Sequence, residues 1–176
     1  VAANLLAFPF ILFFPVFARD ILGVGPALLG LMTAAFGIGT LIGSVLLASL
    51  VAVRRPGATF VGATALMTVT TLFFAASKDY GFSIAMLLLA GLGMSGFAVF
   101  QTALLLVVTS EEFRARVMGI LSLAIGSGPL GMLIVGLLAR WLGVPWAVGL
   151  AEGAMLVVLV AVVVIYRPLL GRTQEG

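Results

Sequence analysis

The sequence predicts an all-α membrane protein, a bundle of six transmembrane helices. Three observations lead there. Of its 176 residues, 63% are hydrophobic and 9% charged, against roughly half and a quarter in an ordinary soluble domain. A water-soluble globule so composed would expose apolar patches large enough to aggregate. Second, the nine basic and six acidic residues cut the chain into uncharged stretches at 1–18, 21–53, 56–77, 80–110 and 117–139, then 141–166 with one interruption at Glu152. Each can supply the roughly 20 apolar residues that cross a hydrocarbon core of about 30 Å. Third, the alternation over about ten residues that marks a membrane β-barrel is absent. Backbone groups in lipid must then be satisfied within each span, which leaves helices.

The elements follow in order. A first helix is placed at 1–18; its apolar run is already under way at Val1, which reads as a cut within or just before a membrane helix. The turn GVGP (23–26) opens a second helix, 26–53, in which GIGTLIG (37–43) carries Gly39 and Gly43 at the spacing that lets helices approach closely. Arg54, Arg55 and Pro56 end it, and a third helix covers 58–76. Lys78, Asp79 and the turn YGF (80–82) precede a fourth helix, 81–108. Its Gly91, Ser95, Ala98 and Thr102 form a small-residue stripe at 4-3-4 spacing, expected to pack on a neighbouring helix. In the fifth helix, 117–139, Gly119, Ser122, Gly126 and Pro129 repeat at 3-4-3 spacing, and Gly128-Pro129 should bend the helix by removing a backbone hydrogen bond. Trp141 and Trp146 flank the next turn, where interfacial aromatics belong. The sixth helix, 144–166, completes a single transmembrane domain, and 167–176 forms a polar tail.

Direction follows from the basic residues of the short connections. Arg54, Arg55, Arg114, Arg116, Arg167 and Arg172 fall on one side, and Arg19, Lys78 and Arg140 on the other. The richer side is assigned to the cytoplasm, which places both termini there.

Several chemistries are set aside. The net charge of +3 comes from basic residues scattered as ones and twos, without a basic stripe or aromatic platform, so nucleic acid is not an expected partner. With no Cys and no His, thiolate chemistry and the commonest general base and metal ligand are missing; no catalytic residue, metal or cofactor is expected. GLGMSG (91–96) fits the dinucleotide-binding G-x-G-x-x-G, but it sits within an uncharged membrane stretch with no room for a βαβ unit. GMSG (93–96) has the form found around the serine of rhomboid-type intramembrane proteases, yet no histidine can take that proton.

Polar groups inside the spans are few enough to weigh singly. Glu152 lies between Gly149 and Gly153, about 10 Å from the outer end of the sixth helix. A carboxyl there can reach the outer interface, hold a proton, or serve transport. Gln101, deep in the fourth helix beside Met94 and Phe97, is either a cavity-lining hydrogen bonder or an interhelical tie, and these three are the candidates for a substrate cavity. Charge concentrates in TSEEFRAR (109–116), the cytoplasmic turn between the fourth and fifth helices. Thr109 and Glu112 have capping-box spacing.

With this topology, TSEEFRARVMGILSLAIGSGPLGMLIVGLLARWLG (109–143) resembles the stretch before and through the eleventh helix of major facilitator superfamily transporters. FPVFARDILGVGPALLGLMTAAFGIGTLIGSVLLA (14–48) resembles the seventh and eighth helices of the bacterial exporter branch that includes the enterobactin exporter. The resemblance implies half of a twelve-helix major facilitator fold, helices seven to twelve, with the N-terminal six-helix half as partner, in the bacterial inner membrane. It implies proton-coupled export of small amphipathic molecules of drug or siderophore type. It also implies a cytoplasmic gate of ion pairs, for which Glu111, Glu112, Arg114 and Arg116 offer themselves with Arg54 and Arg55. Two departures stand out. The signature loop keeps Arg54, Arg55 and Gly57 but has no Asp, and GSGPLG (126–131) only echoes the antiporter motif. The alternatives are a lysolipid transporter of the same superfamily, a six-helix structural or assembly subunit, and, disfavoured by the missing His and Cys, an intramembrane hydrolase or transferase.

Overall fold

The structure, a computed structural model, describes residues 2–49 and 56–170, apart from the side chains of 106–108 and 166–170. Within them, six helical spans are long and apolar enough to cross a membrane: Ala2–Ile21, Pro26–Ser49, Pro56–Ala76, Tyr80–Leu105, Glu111–Leu142 and Val144–Ile165. The six-helix membrane architecture expected from the sequence is the one observed.

The first span is a composite. It runs as α1 (Ala2–Leu6), a 3-10 segment (Phe8–Phe13), α2 (Phe14–Val16) and a π-helical turn (Phe17–Ile21). Pro9 and Pro15 each stand at the start of a new segment. Proline lacks the N–H that the α-ladder needs and crowds the carbonyl four residues back, so the chain continues by changing its hydrogen-bond register. The span reaches Ile21 rather than residue 18 and carries Arg19 and Asp20 in its last turn, where they form an exposed pair at 3.6 Å.

The remaining helices are regular. α3 (Pro26–Ser49) and α4 (Pro56–Ala76) both begin on proline, whose missing N–H costs nothing in a first turn. α5 (Tyr80–Val108) is capped by Asp79, whose carboxylate accepts the Phe82 N–H at 2.7 Å. That cap is not among the sequence expectations. Tyr80 donates its hydroxyl to the Leu28 carbonyl at 2.9 Å, tying the start of α5 to α3. The fifth span opens on a 3-10 turn (Glu111–Phe113) and is interrupted at Ser127, between α6 (Arg114–Gly126) and α7 (Gly128–Leu142). The interruption falls two residues before Pro129, as the Gly-Pro pair predicts. Gly143, at φ +84°, turns the chain into α8 (Val144–Leu170).

α5 is the central helix, packed between α3 and α4. Its small residues serve two seams. A Cβ at Gly91 would fall on the Phe36 carbonyl oxygen, one at Gly39 on the Leu88 carbonyl, and one at Gly43 on the Ser95 hydroxyl, so α3 and α5 meet backbone to backbone. Gly93 and Gly96, one turn round the same helix, abut Ala63 and Met67 of α4. The run GLGMSG is therefore a two-sided packing element, of which the sequence reading found one side.

Three expected packing residues are corrected. Ala98 follows Gly91 and Ser95 on the helix wheel but is exposed. Beyond the Gly43–Ser95 contact, the space between the two helices opens into a cavity of about 360 Å³ bordered by Ser44, Leu47, Ala48 and Val99. Gly126 and Pro129 are also exposed, and a Cβ at Gly126 would meet nothing within 4 Å. α6 touches the other helices only lightly, so among the described residues its small residues have no helix to pack on. Gly131, not singled out earlier, makes the close contact of the fifth span, against the backbone of Leu5.

The two ends of the bundle differ. Around the turns at 22–25, 77–79 and 143, buried Phe10, Phe14, Phe17 and Phe74 form one cluster with Met32, Leu87, Val135 and Val148. Phe17 and Phe74 are 4.6 Å apart between centroids, and Phe14 meets Phe74 edge-on at 5.9 Å. A smaller cluster at mid-depth joins Ala3, Ala7, Met67, Phe97 and Met155. Past it, towards the other end, the bundle opens.

Candidate functional site

The opening is a cavity of about 660 Å³. Phe60 and Thr64 of α4, Phe97 and Gln101 of α5, Leu121 and Ala124 of α6, and Met155 and Leu159 of α8 form its walls, with Ala2 and Ala3 of α1. All come from the helix halves that lead towards the chain's start, the 109–113 turn and the end of α8. α6 stands off from the other helices and makes one wall by itself. The volume suits a small organic molecule, and the lining is of the kind such sites use, mostly apolar with a few polar groups. Thr64 spends its hydroxyl on the Phe60 carbonyl at 2.7 Å. Among the described residues no hydrogen bond engages Gln101, which is half-buried on the wall.

The sequence candidates divide accordingly. Gln101 and Phe97 line the cavity; Phe97 stacks on Phe60 with centroids 5.5 Å apart. Met94 is packed against the mid-depth cluster, one turn away from the wall, and is not part of the cavity's lining.

The charged turn is rearranged relative to the sequence reading. α5 ends at Val108, with Thr109 extended at φ −103°, ψ 128°. Ser110, also extended, starts the 3-10 turn, and no side chain caps it. The capping box between Thr109 and Glu112 is thus not formed, because Thr109 closes one helix instead of opening the next. Glu111 and Glu112 belong to the first turn of the fifth span. Glu111 pairs with Arg114 three residues on at 3.3 Å, both exposed, and Arg116 lies over the Phe113 ring at 5.9 Å. These contacts are local to one segment, and no ion pair crosses the cavity mouth among the described residues. Arg54 and Arg55 lie outside those residues.

Glu152 is 1% exposed, so it does not reach the outer interface. Its carboxyl stands beside Thr68 of α4, yet neither of its oxygens nor the Thr68 hydroxyl completes a hydrogen bond. Sequence alone marked Glu152 but not Thr68, since a threonine in an apolar helix ordinarily bonds its own backbone.

Six membrane-length helices around a mostly apolar cavity define an integral membrane protein able to hold a small molecule between its helices. The family model of the Major Facilitator Superfamily matches residues 1–175. The chain belongs to that superfamily, a family of membrane transporters and not of enzymes. No curated protein and no solved structure matches it.

Proposed function

We propose that the chain is the C-terminal half, helices seven to twelve, of a secondary transporter that exports small amphipathic molecules across the bacterial inner membrane. It works by alternating access and is driven by the proton gradient. The observation that carries this reading is the cavity: about 660 Å³, walled by Phe, Leu, Met and Val, with Gln101 as a half-buried polar group. Such a lining rewards apolar surface and recognises one hydrogen-bonding group, which matches an amphipathic cargo better than a sugar or an ion. In superfamily architecture the pathway lies between two six-helix halves. The exposed apolar side chains of α6 and α7, among them Ile120, Leu123, Leu133 and Leu137, offer a surface for such a partner half and for lipid.

Both termini are assigned to the cytoplasm by the excess of arginines on that side. The cavity then opens inward, and the phenylalanine cluster closes the outer end. A gate of ion pairs would be released in this state, in keeping with the local pairing of Glu111 and Arg114.

The test joins the chain to the six-helix segment encoded upstream of it and follows efflux of two lipophilic dyes, one bearing a hydrogen-bonding group. Gln101→Ala should reverse or flatten the preference between the dyes at unchanged abundance. An unchanged preference with less folded protein would make Gln101 a structural tie. Absence of efflux for both dyes in the parent protein would refute the export reading.

A further inference from the structure

α4 carries four buried threonines within eight residues. Thr64, Thr70 and Thr71 each donate to the carbonyl four residues back, at 2.7, 2.7 and 2.8 Å. This is the usual disposition in a membrane helix, where no water is at hand. Thr68 is 0% exposed and makes no hydrogen bond. Beside it on α8 is Glu152, 1% exposed, with both carboxyl oxygens unpaired. A third buried side chain, Asn4 of α1, leaves its amide nitrogen unpaired, and that amide can present either end. The helices carrying these groups meet at the mid-depth cluster: Ala3 and Ala7 flank Asn4, Met67 adjoins Thr68, and Met155 is one turn from Glu152.

An unpaired carboxylate in a dry helix interface is among the costliest groups a membrane protein can hold. Neighbouring charge does not offset it. α1, α4 and the 3-10 segment Phe8–Phe13 have no charged residue. α7 has only Arg140, exposed in its last turn. Arg167 of α8 itself lies fifteen residues on, about 22 Å along the helix. What the group lacks is one positive charge, and the polar group set beside it is the Thr68 hydroxyl.

We propose that Glu152 and Thr68 form a binding site for a single monovalent cation, Na⁺ or a proton, one helical turn above the cavity. The placement links the site to the cavity wall. Thr64 and Met155, which line the cavity, are one turn from Thr68 and Glu152 on the same two helices, about 4–6 Å along each axis. Hard oxygen donors with one carboxylate suit a small monovalent ion; for a proton, the Thr68 hydroxyl supplies a partner for the neutral acid. The site concerns ion binding and stands whether or not the cavity exports anything.

The experiment therefore reads stability and labelling rather than transport. The purified chain in lipid nanodiscs is heated at fixed ionic strength while NaCl replaces choline chloride, and separately at rising pH without Na⁺. A Na⁺ site gives a saturable rise in midpoint of about 5 °C that Glu152→Gln abolishes and Thr68→Val weakens. A proton site gives no Na⁺ response and a midpoint that falls with rising pH in the parent but stays flat in Glu152→Gln. Should the variants fail to fold, a hydrophobic carbodiimide reports on the parent chain alone. Labelling of Glu152, measured by mass spectrometry relative to exposed Glu112, should fall at least threefold with Na⁺ or with alkaline pH. A parent that responds as Glu152→Gln does, or labelling indifferent to both cations, would overturn the site and leave the cavity reading untouched.

Discussion

Gly91→Ala tests the seam on which the bundle is built. The added methyl would fall on the Phe36 carbonyl oxygen, 2.8 Å from the Thr40 nitrogen and 3.1 Å from the Gly39 carbonyl carbon. All three are backbone atoms in the middle of α3, so no rotamer change relieves them. α3 must move away from α5 by about 1 Å to restore ordinary separations, and a gap of that size forfeits a quarter to a half of the dispersion well for each pair along the seam. Overpacking of this kind costs about 1–3 kcal/mol. Alanine also gains about 1 kcal/mol over glycine in a helix interior, which obscures the result for one variant alone. Gly37→Ala removes that ambiguity. It lies in α3 with nothing within 4 Å of its would-be Cβ, so it has the same propensity gain and no clash.

The two variants should therefore differ by the clash itself, about 2 kcal/mol, with Gly37→Ala the more stable. Unfolding in mixed micelles by increasing dodecyl sulfate, followed by far-ultraviolet circular dichroism, measures the difference. Gly39→Ala opposes the Leu88 carbonyl on the same seam, so the double variant should lose less than the two singles together, because one separation of the helices relieves both contacts. Equal midpoints for Gly91→Ala and Gly37→Ala, or strict additivity in the double variant, would refute the close approach.

Other expectations follow from single contacts. Asp79→Ala should cost about 1 kcal/mol in the same assay and Asp79→Asn far less, since asparagine also caps a helix; equal losses would deny the Phe82 hydrogen bond its part. A cysteine at exposed Lys78 should be labelled from outside intact cells and one at Gly57 only after permeabilisation, with no native Cys to compete. The reverse pattern would invert the orientation. Lys78 serves better than its neighbour Ser77, which is buried and bonded to Ser83 at 3.1 Å. Glu111→Gln should change stability by no more than about 1 kcal/mol, because its pair with Arg114 is exposed; a larger loss would mean that Glu111 holds a second segment.

What the sequence revealed follows from what each kind of residue can signal. Runs of apolar residues between charges located all six spans, since in lipid the hydrocarbon thickness sets helix length. Prolines located the interruption of the fifth span, but Pro9 and Pro15 also recast the first span in 3-10 and π turns, and no periodicity announces how a chain will pass a proline. Small residues showed that close seams exist, not how many. Gly91 and Ser95 announce one face by their spacing, while Gly93 and Gly96 of the same run meet a second helix. Ala98 failed because a helical wheel fixes direction and not where the partner helix draws away. The capping box failed for a different reason: Thr109 suits the last residue of one helix as well as the first of another, and the extended backbone at Thr109 and Ser110 decides between them. In the site, Glu152 was conspicuous by its charge. Thr68 was not, because its significance lies in a hydrogen bond it does not make.

The same contrasts indicate where this bundle can yield. α3, α4 and α5 are joined by glycine seams in which backbone meets backbone, and such contacts resist sliding because no side chain can rearrange to absorb it. The phenylalanine cluster ties the first span, α3, α4 and α7 at the opposite end from the cavity. α6 has neither device. Its glycines face open space, its contacts are few, and it joins α7 through the interruption at Ser127, whose hydroxyl donates to the Ala124 carbonyl at 2.6 Å. A helix that walls a cavity, packs on little and is attached through a break in its ladder is the element whose displacement costs least. Within this chain α6 is therefore the cavity wall that is held least, together with the 3-10 turn Glu111–Phe113 at its start.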